Sequence, residues 1–184
     1  STIVSQVELN RISSLKTSTS VLSVVSRQEH IYKKNNLIKQ KKIILLDSLS
    51  DPGNLGSIIR TADWFGIKSI YLSEDCVDVY NPKVVQASMG SLARVRVYNE
   101  PLKNILIDAK KRSIQCYGAS LSGQNIYTMK KPNHYIIVFG SESHGISLKI
   151  KSLLDNEIRI PSTNKEIDSL NVSVAFGIIL SEFR

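Results

Sequence analysis

Ile43-Ile44-Leu45-Leu46, then Asp47-Ser48-Leu49-Ser50-Asp51-Pro52-Gly53, then Asn54-Leu55-Gly56-Ser57-Ile58-Ile59-Arg60-Thr61-Ala62-Asp63-Trp64-Phe65-Gly66 is the stretch that decides the fold class. Four consecutive apolar residues suit a strand buried on both faces, as in a parallel sheet. Leu55, Ile58, Ile59, Ala62 and Phe65 recur at helical spacing, so a helix is predicted over Asn54 to Phe65, stopped by Gly66. The loop between strand and helix carries two aspartates, a proline and a glycine.

Working downstream, the alternation continues. Strands are predicted at Ile67 to Leu72, Ala93 to Tyr98, Ile114 to Ala119, Tyr135 to Phe139 and Glu157 to Ile160. Helices are predicted at Pro82 to Met89, Pro101 to Lys111, Leu148 to Leu154 and Ser169 to Phe183. Strands alternating with helices predict an α/β fold with a mostly parallel sheet and helices on both faces. There is no internal repeat and no low-complexity tract.

Upstream, residues 1–42 differ from the rest and are rich in Ser, Thr, Lys and Asn. A short helix is predicted over residues 5–12 and a strand near 21–26, where Val21-Leu22-Ser23-Val24-Val25 is the one apolar run. Lys33, Lys34, Lys39, Lys41 and Lys42 form a basic linker, readable either as a solvated charge run or as a contact for RNA phosphate. The segment is too short for a core of its own, so the chain divides into an N-terminal segment, 1–42, and one domain, 43–184. It begins at Ser1 rather than Met, which is read as a sign of residues upstream.

The 184 residues carry 24 Lys and Arg against 16 Asp and Glu, a formal charge of +8, with 42% hydrophobic residues. That composition is ordinary for a soluble globular domain. On charge alone, a polyanionic partner and a merely soluble basic surface are equally fair readings. Cys76 and Cys116 form no CxxC pair, and no His/Cys cluster has zinc spacing, so both read as small buried hydrophobes in a reducing compartment and no metal is expected. No apolar run is long enough to cross a bilayer and no secretory pattern opens the chain. The expected location is the cytoplasm.

Three loops carry chemistry, each just after a predicted strand, where open α/β sheets bind ligands. The first holds Asn54 and Gly56, with Arg60 about one and a half turns into the helix; it is neither a Walker A loop nor a GxGxxG fingerprint. Taken alone, Asn54 reads as a helix cap and Arg60 as a surface charge. The second, Gly140-Ser141-Glu142-Ser143-His144-Gly145, is a tight turn whose Glu142 is positioned to bond backbone amides or a ligand hydroxyl, or to stand in solvent. The third runs from Ile160-Pro161 to Ser169-Leu170-Asn171-Val172-Ser173, where Ser169 and Asn171 are each good cappers of the last helix.

Together these loops resemble the three signature motifs of the SpoU/TrmH family of RNA ribose 2′-O-methyltransferases, in the SPOUT superfamily. Asn54, Gly56 and Arg60 match the Asn-x-Gly-x-x-x-Arg motif. Gly140, Glu142 and Gly145 match Gly-x-Glu-x-x-Gly, and Ile160-Pro161 with Ser169 to Ser173 matches the third. The likeness covers residues 43–184. It departs from the pattern at Ser162 to Asp168, which is longer and more charged than in many members. Residues 8–26 also resemble the tail of the L30-like RNA-binding domain that precedes this domain in many members.

The resemblance implies a C-terminal trefoil knot, a homodimer with each site completed by the partner, and S-adenosylmethionine held mainly by backbone groups at Gly140, Ile160 and Leu170, with Ala119 as a fourth. It points to Arg60 as the central catalytic residue, with Asn54, Glu142, Ser169 and Asn171 orienting Arg60, the ribose or the cofactor. A guanidinium stays protonated in ordinary settings. Arg60 is therefore expected to hold RNA phosphate and the 2′-hydroxyl and to stabilise developing charge, with the proton lost to water or through Arg60 itself beside another cation. Ile178, Ile179 and Phe183 fit either the dimer contact or an ordinary core. Ribosomal RNA is the expected substrate and transfer RNA the alternative. The rival readings are a base-methylating SPOUT enzyme, a non-catalytic RNA-binding protein, and, least supported, a dinucleotide-dependent oxidoreductase.

Overall fold

The computed structural model describes residues 2–13, 20–26, 40–164 and 166–183. Six strands, β1 (Lys42–Leu46), β2 (Ser69–Leu72), β3 (Arg96–Asn99), β4 (Gln115–Asn125), β5 (Tyr135–Phe139) and β6 (Asn156–Arg159), form one sheet in the order β3-β2-β1-β5-β4-β6. Every pairing is parallel; Ile44 stands opposite Ile70 on one side and Ile137 on the other. The predicted α/β architecture is therefore present. Its chain order reverses between β1 and β5, which sends β4 and β6 to the far side of β5.

The Ile43–Leu46 run divides between two cores, since successive strand side chains point to opposite faces. Ile44 and Leu46 join one core with Leu55, Ile58, Ile59 and Ala62 of α2 (Pro52–Trp64), Val84 of α3 (Pro82–Ala87), and Phe176, Ile179 and Leu180 of α6 (Val172–Glu182). Ile43 and Leu45 join the other with Ile105, Leu106 and Ala109 of α4 (Leu102–Lys111) and Ile150 of α5 (Leu148–Lys151). Each fully buried Leu or Ile contributes about 1.5–3 kcal/mol, so the strand is held from both sides. Phe183 and Ile179 are buried, Phe183 with its ring 5.1 Å from that of Tyr135. Those two are core residues and not a dimer face, because Tyr135, Tyr117 and Phe176 already enclose them.

Four expectations need correction. Helix α1 (Gln6–Ile12) forms as predicted, capped by Ser5 and closed by a capping box with Glu8, but no strand forms over 21–26; that run is irregular and exposed. Much of the basic linker and of the L30-like stretch lies outside the described residues. Ala93 belongs to a 3-10 turn (Ser91–Ala93), set by Gly90 in the left-handed region, so β3 starts only at Arg96. The helix after Ser147 ends at Lys151, three residues before the predicted Leu154. Finally, β4 runs on past Ala119 to Asn125: Ile158 faces both Ala119 and Gln124, and residues 120–123 bulge out between them. Gly123 sits there at φ +118°, where a Cβ would lie 2.4 Å from the Glu157 carbonyl oxygen, so the bulge requires glycine.

Candidate active site

Because all six strands run one way, the loops after β1, β5 and β6 share one edge of the sheet. They are tied there by side chains. The first tie is Asp47, directly after β1. Its backbone N–H donates to the Phe139 carbonyl (2.8 Å), and its Oδ2 accepts from the Ser147 amide (2.8 Å). At 4% exposure this carboxylate is buried, and such a group is tolerated only when hydrogen-bonded. It fixes the start of the first loop to the end of the second. Sequence reading missed it; the signal was a carboxylate directly abutting a strand that is buried on both faces.

The second tie is built from the motif asparagines. Helix α2 starts two residues earlier than predicted, at Pro52, with Asp51 as its cap: the Asp51 carboxylate accepts from the Asn54 N–H at 2.7 Å. Asp before Pro is itself a helix-start signal. Asn54 is thereby relieved of capping, and its side chain turns outward. Its Nδ2 donates to Glu142, and its Oδ1 accepts from Asn171 Nδ2 at 2.9 Å. Asn171 caps α6, its Oδ1 accepting from the N–H groups of Ser173 (2.9 Å) and Val174 (3.3 Å) and from the Ser173 hydroxyl (2.6 Å). Chemistry sets the direction of the chain. Helix amides can only donate, so Asn171 must turn its oxygen to them and its NH₂ to Asn54; Asn54 then donates onward to a carboxylate oxygen. The neutral Asn171–Asn54 bond contributes a net of about 1 kcal/mol, so this link positions more than it stabilises.

Glu142 reaches Asn54 from a loop whose shape glycine dictates. Ser141 and Gly145 exchange two backbone bonds (3.1 and 2.9 Å), with Gly145 at φ +67°. A Cβ on Gly140 would lie 2.0 Å from the Gly145 carbonyl carbon. Glu142, Ser143 and His144 stand exposed on the turn, His144 paired with the Ser143 hydroxyl at 2.8 Å.

The structure thus brings together Asn54, Glu142 and Asn171. Ser169 is left in the exposed loop before α6, because Asn171 holds the capping position. Arg60 is exposed on α2 and enters no hydrogen bond or ion pair among the described residues. Of the residues expected to hold the cofactor, Gly140 follows β5, Ile160 follows β6, Ala119 pairs with Ile158, and Leu170 is half exposed in the third loop. The peptide groups of Gly140, Ile160 and Leu170 enter no loop or cap backbone bond among the described residues. Cys76 also serves this edge: its sulfur accepts from the Leu49 amide (3.3 Å) and donates to the Leu46 carbonyl (3.4 Å), and burial pushes its thiol pKa up.

Comparison with known proteins places this arrangement. Residues 41–181 match the SpoU rRNA Methylase family, and the chain belongs to that family. It is 37% identical, over 81% of its length and 58% of the relative's, to the 23S rRNA (guanosine-2′-O-)-methyltransferase RlmB of Blochmanniella floridana. In structure it is similar to a TrmH-family chain from Porphyromonas gingivalis (TM-score 0.81, 38% identity, 96% of this chain and 70% of that one). It is also similar to an AdoMet-bound rRNA methyltransferase from Sinorhizobium meliloti (TM-score 0.72, 30% identity, 78% and 56%). The chain spans between 52% and 63% of the length of the curated relatives it matches. Among the described residues no group of three His, Cys, Asp or Glu side chains converges, and no helix is long and apolar enough to cross a membrane.

Proposed function

We propose that this protein transfers a methyl group from S-adenosylmethionine to a ribose 2′-hydroxyl of RNA, with ribosomal RNA as its substrate. The observation that carries the reading is the one-way chain Asn171–Asn54–Glu142, which locks three loops together at the C-terminal edge of the sheet. The named activity of the Blochmanniella relative and the AdoMet bound to the Sinorhizobium one support it.

The cofactor fits what stands at that edge. Gly140, Ile160 and Leu170 offer main-chain groups not used in loop or cap bonding. The cofactor supplies a methyl already activated on a sulfonium. The protein has then to position the ribose oxygen and ease its proton loss. The exposed Arg60 guanidinium, with five donors and no acceptor, holds an RNA phosphate and the 2′-oxygen and offsets the charge that develops as the proton leaves to water. Asn54, Glu142 and Asn171 hold the loops of that edge in place, and Ser169, on the exposed loop before α6, is assigned to orient the ribose. The same reading includes a C-terminal knot, a homodimer, a cytoplasmic location and an RNA-binding segment within residues 1–42.

Incubation with methyl-labelled S-adenosylmethionine and unmodified bacterial ribosomal and transfer RNA, followed by digestion to nucleosides, tests this. A labelled 2′-O-methyl nucleoside from ribosomal RNA is expected. Label on a base would overturn the ribose assignment, and label only in transfer RNA would overturn the substrate.

A further inference from the structure

The turn after β1 holds a carboxylate that none of the three motifs contains. Asp47 is 4% exposed, and its Oδ2 accepts from the amide of Ser147, 100 residues on, at 2.8 Å. Ser147 is where the second loop passes into α5. Among the described residues, two side-chain hydrogen bonds carry the second loop to the first: Asn54 with Glu142, and Ser147 with Asp47. The bonds of Ser141, Ser143, His144 and Gly145 stay inside the loop.

The direction of the Asp47 carboxylate is set by its neighbour. Ser48 stands at φ +58°, in the left-handed region that costs any residue with a Cβ. Two side chains from the loop after β2 offset that cost. The Ser73 hydroxyl oxygen accepts from the Ser48 amide at 2.8 Å, and the Cys76 sulfur accepts from the Leu49 amide at 3.3 Å. The Ser73 amide in turn donates to the Leu46 carbonyl (3.0 Å), and the Val77 amide to the Leu49 carbonyl (2.9 Å). The turn is thus held from the loop after β2 on one side and holds the second loop on the other. Ser73 itself makes no hydrogen bond to the second loop among the described residues.

We infer that Asp47 is a positioning residue for cofactor binding and that Ser73 acts on the same site through it. Ser73 fixes the Ser48 turn, the turn aims the Asp47 carboxylate at Ser147, and that bond sets the loop whose Gly140 offers its main chain to S-adenosylmethionine. A carboxylate suits the task, because a hydrogen bond to an ionised acceptor is about twice as strong as a neutral one. The inference rests on the proposed cofactor binding at this edge and adds to it two residues outside the motifs.

Asp47→Ala is expected to raise the KM for S-adenosylmethionine about tenfold, as for loss of one hydrogen bond to a charged group, with kcat and affinity for an unmodified 23S ribosomal RNA transcript changed less than about twofold. Amide exchange over residues 140–147 is expected to quicken in the free protein and to slow again when the cofactor saturates. Asp47→Asn keeps an oxygen for Ser147 and turns its NH₂ to the Ser48 hydroxyl, which lies 3.5 Å from Oδ1, so it is expected to recover most of the loss. Ser73→Ala is expected to raise the same KM about threefold. The double variant Asp47→Ala/Ser73→Ala is expected to be no worse than Asp47→Ala, because both act along one path. If Asp47→Ala does not fold, the Ser73→Ala KM and its exchange over residues 140–147 decide the matter. A KM unchanged in the alanine variants, a kcat that falls with stability at constant KM, or losses that multiply in the double variant would overturn this inference and leave the methyltransferase reading standing. So would Asp47→Asn as impaired as Asp47→Ala. Failure of the unaltered chain to bind S-adenosylmethionine would overturn both.

Discussion

The first and third turns of α2 treat their polar residues in opposite ways. Asn54 is held on both sides, by Asn171 and Glu142, and its backbone N–H is taken by Asp51. Arg60, six residues on, is exposed and unbonded among the described residues. One residue has spent its hydrogen-bonding capacity on the protein, and the other has kept all of it for something else. A side chain that frames a site shows its partners in the structure. The side chain proposed to act on substrate has none among the described residues.

The sharpest test of that contrast is Arg60→Ala. Methylation is expected to fall about 10²- to 10³-fold, as for loss of one charge-stabilising donor, with melting temperature and S-adenosylmethionine affinity unchanged; an intact rate would end the proposed role. Next, Gly140→Ala places a Cβ against the Gly145 backbone and is expected to cost about 3 kcal/mol of stability and to abolish cofactor binding, read by denaturant melts and calorimetry. Smaller still is the double cycle of Asn54→Ala and Asn171→Ala. The two losses are expected to be non-additive by about 1 kcal/mol, whereas Arg60→Ala combined with either is expected to be additive in stability. Additivity between the asparagines would mean that their bond is not made in solution.

The smallest effect checks the foldedness of all these variants. Burial, with Asp155 nearby, pushes the Cys116 thiol up to about 12, so at pH 8 it is protonated and enclosed. Its reaction with a thiol reagent should proceed only through unfolding. Arg60→Ala is expected to leave that rate unchanged, and Gly140→Ala to raise it.

The sequence made the sheet legible wherever apolar runs met helical spacing, and it misled where a run lacked partners. Ile43–Leu46 and Val21–Val25 look alike as text. The first lies between β2 and β5 with both faces covered, while Val24 is 93% exposed and no strand forms there. Apolar content predicts a strand, but only neighbours make one. The polar, glycine-bearing tail of β4 failed in the reverse sense, because Ser120 to Asn125 reads as a loop and its pairing with β6 depends on a bulge that composition does not announce. At the proposed site, the motifs named Asn54, Glu142 and Asn171, and the structure joins those three side chains by hydrogen bonds. The Asp51 cap could have been read from its Asp-Pro step, but the Asp47–Ser147 bond and the turn of Asn54 towards Glu142 and Asn171 were not legible, because they depend on which loops meet across some hundred residues of chain.

That separation has a consequence for how the chain is made. β1 gains its second neighbour only when Tyr135–Phe139 exists, and Asp47 finds the Ser147 amide only later still. During synthesis at roughly 5–20 residues per second, the Ile43–Leu46 strand must wait with one edge open. Contacts so distant in sequence also slow folding from the denatured state. Nascent chains arrested before residue 135 should therefore be cut readily by protease within the first half of the sheet, and chains arrested well beyond the C-terminal helix should resist.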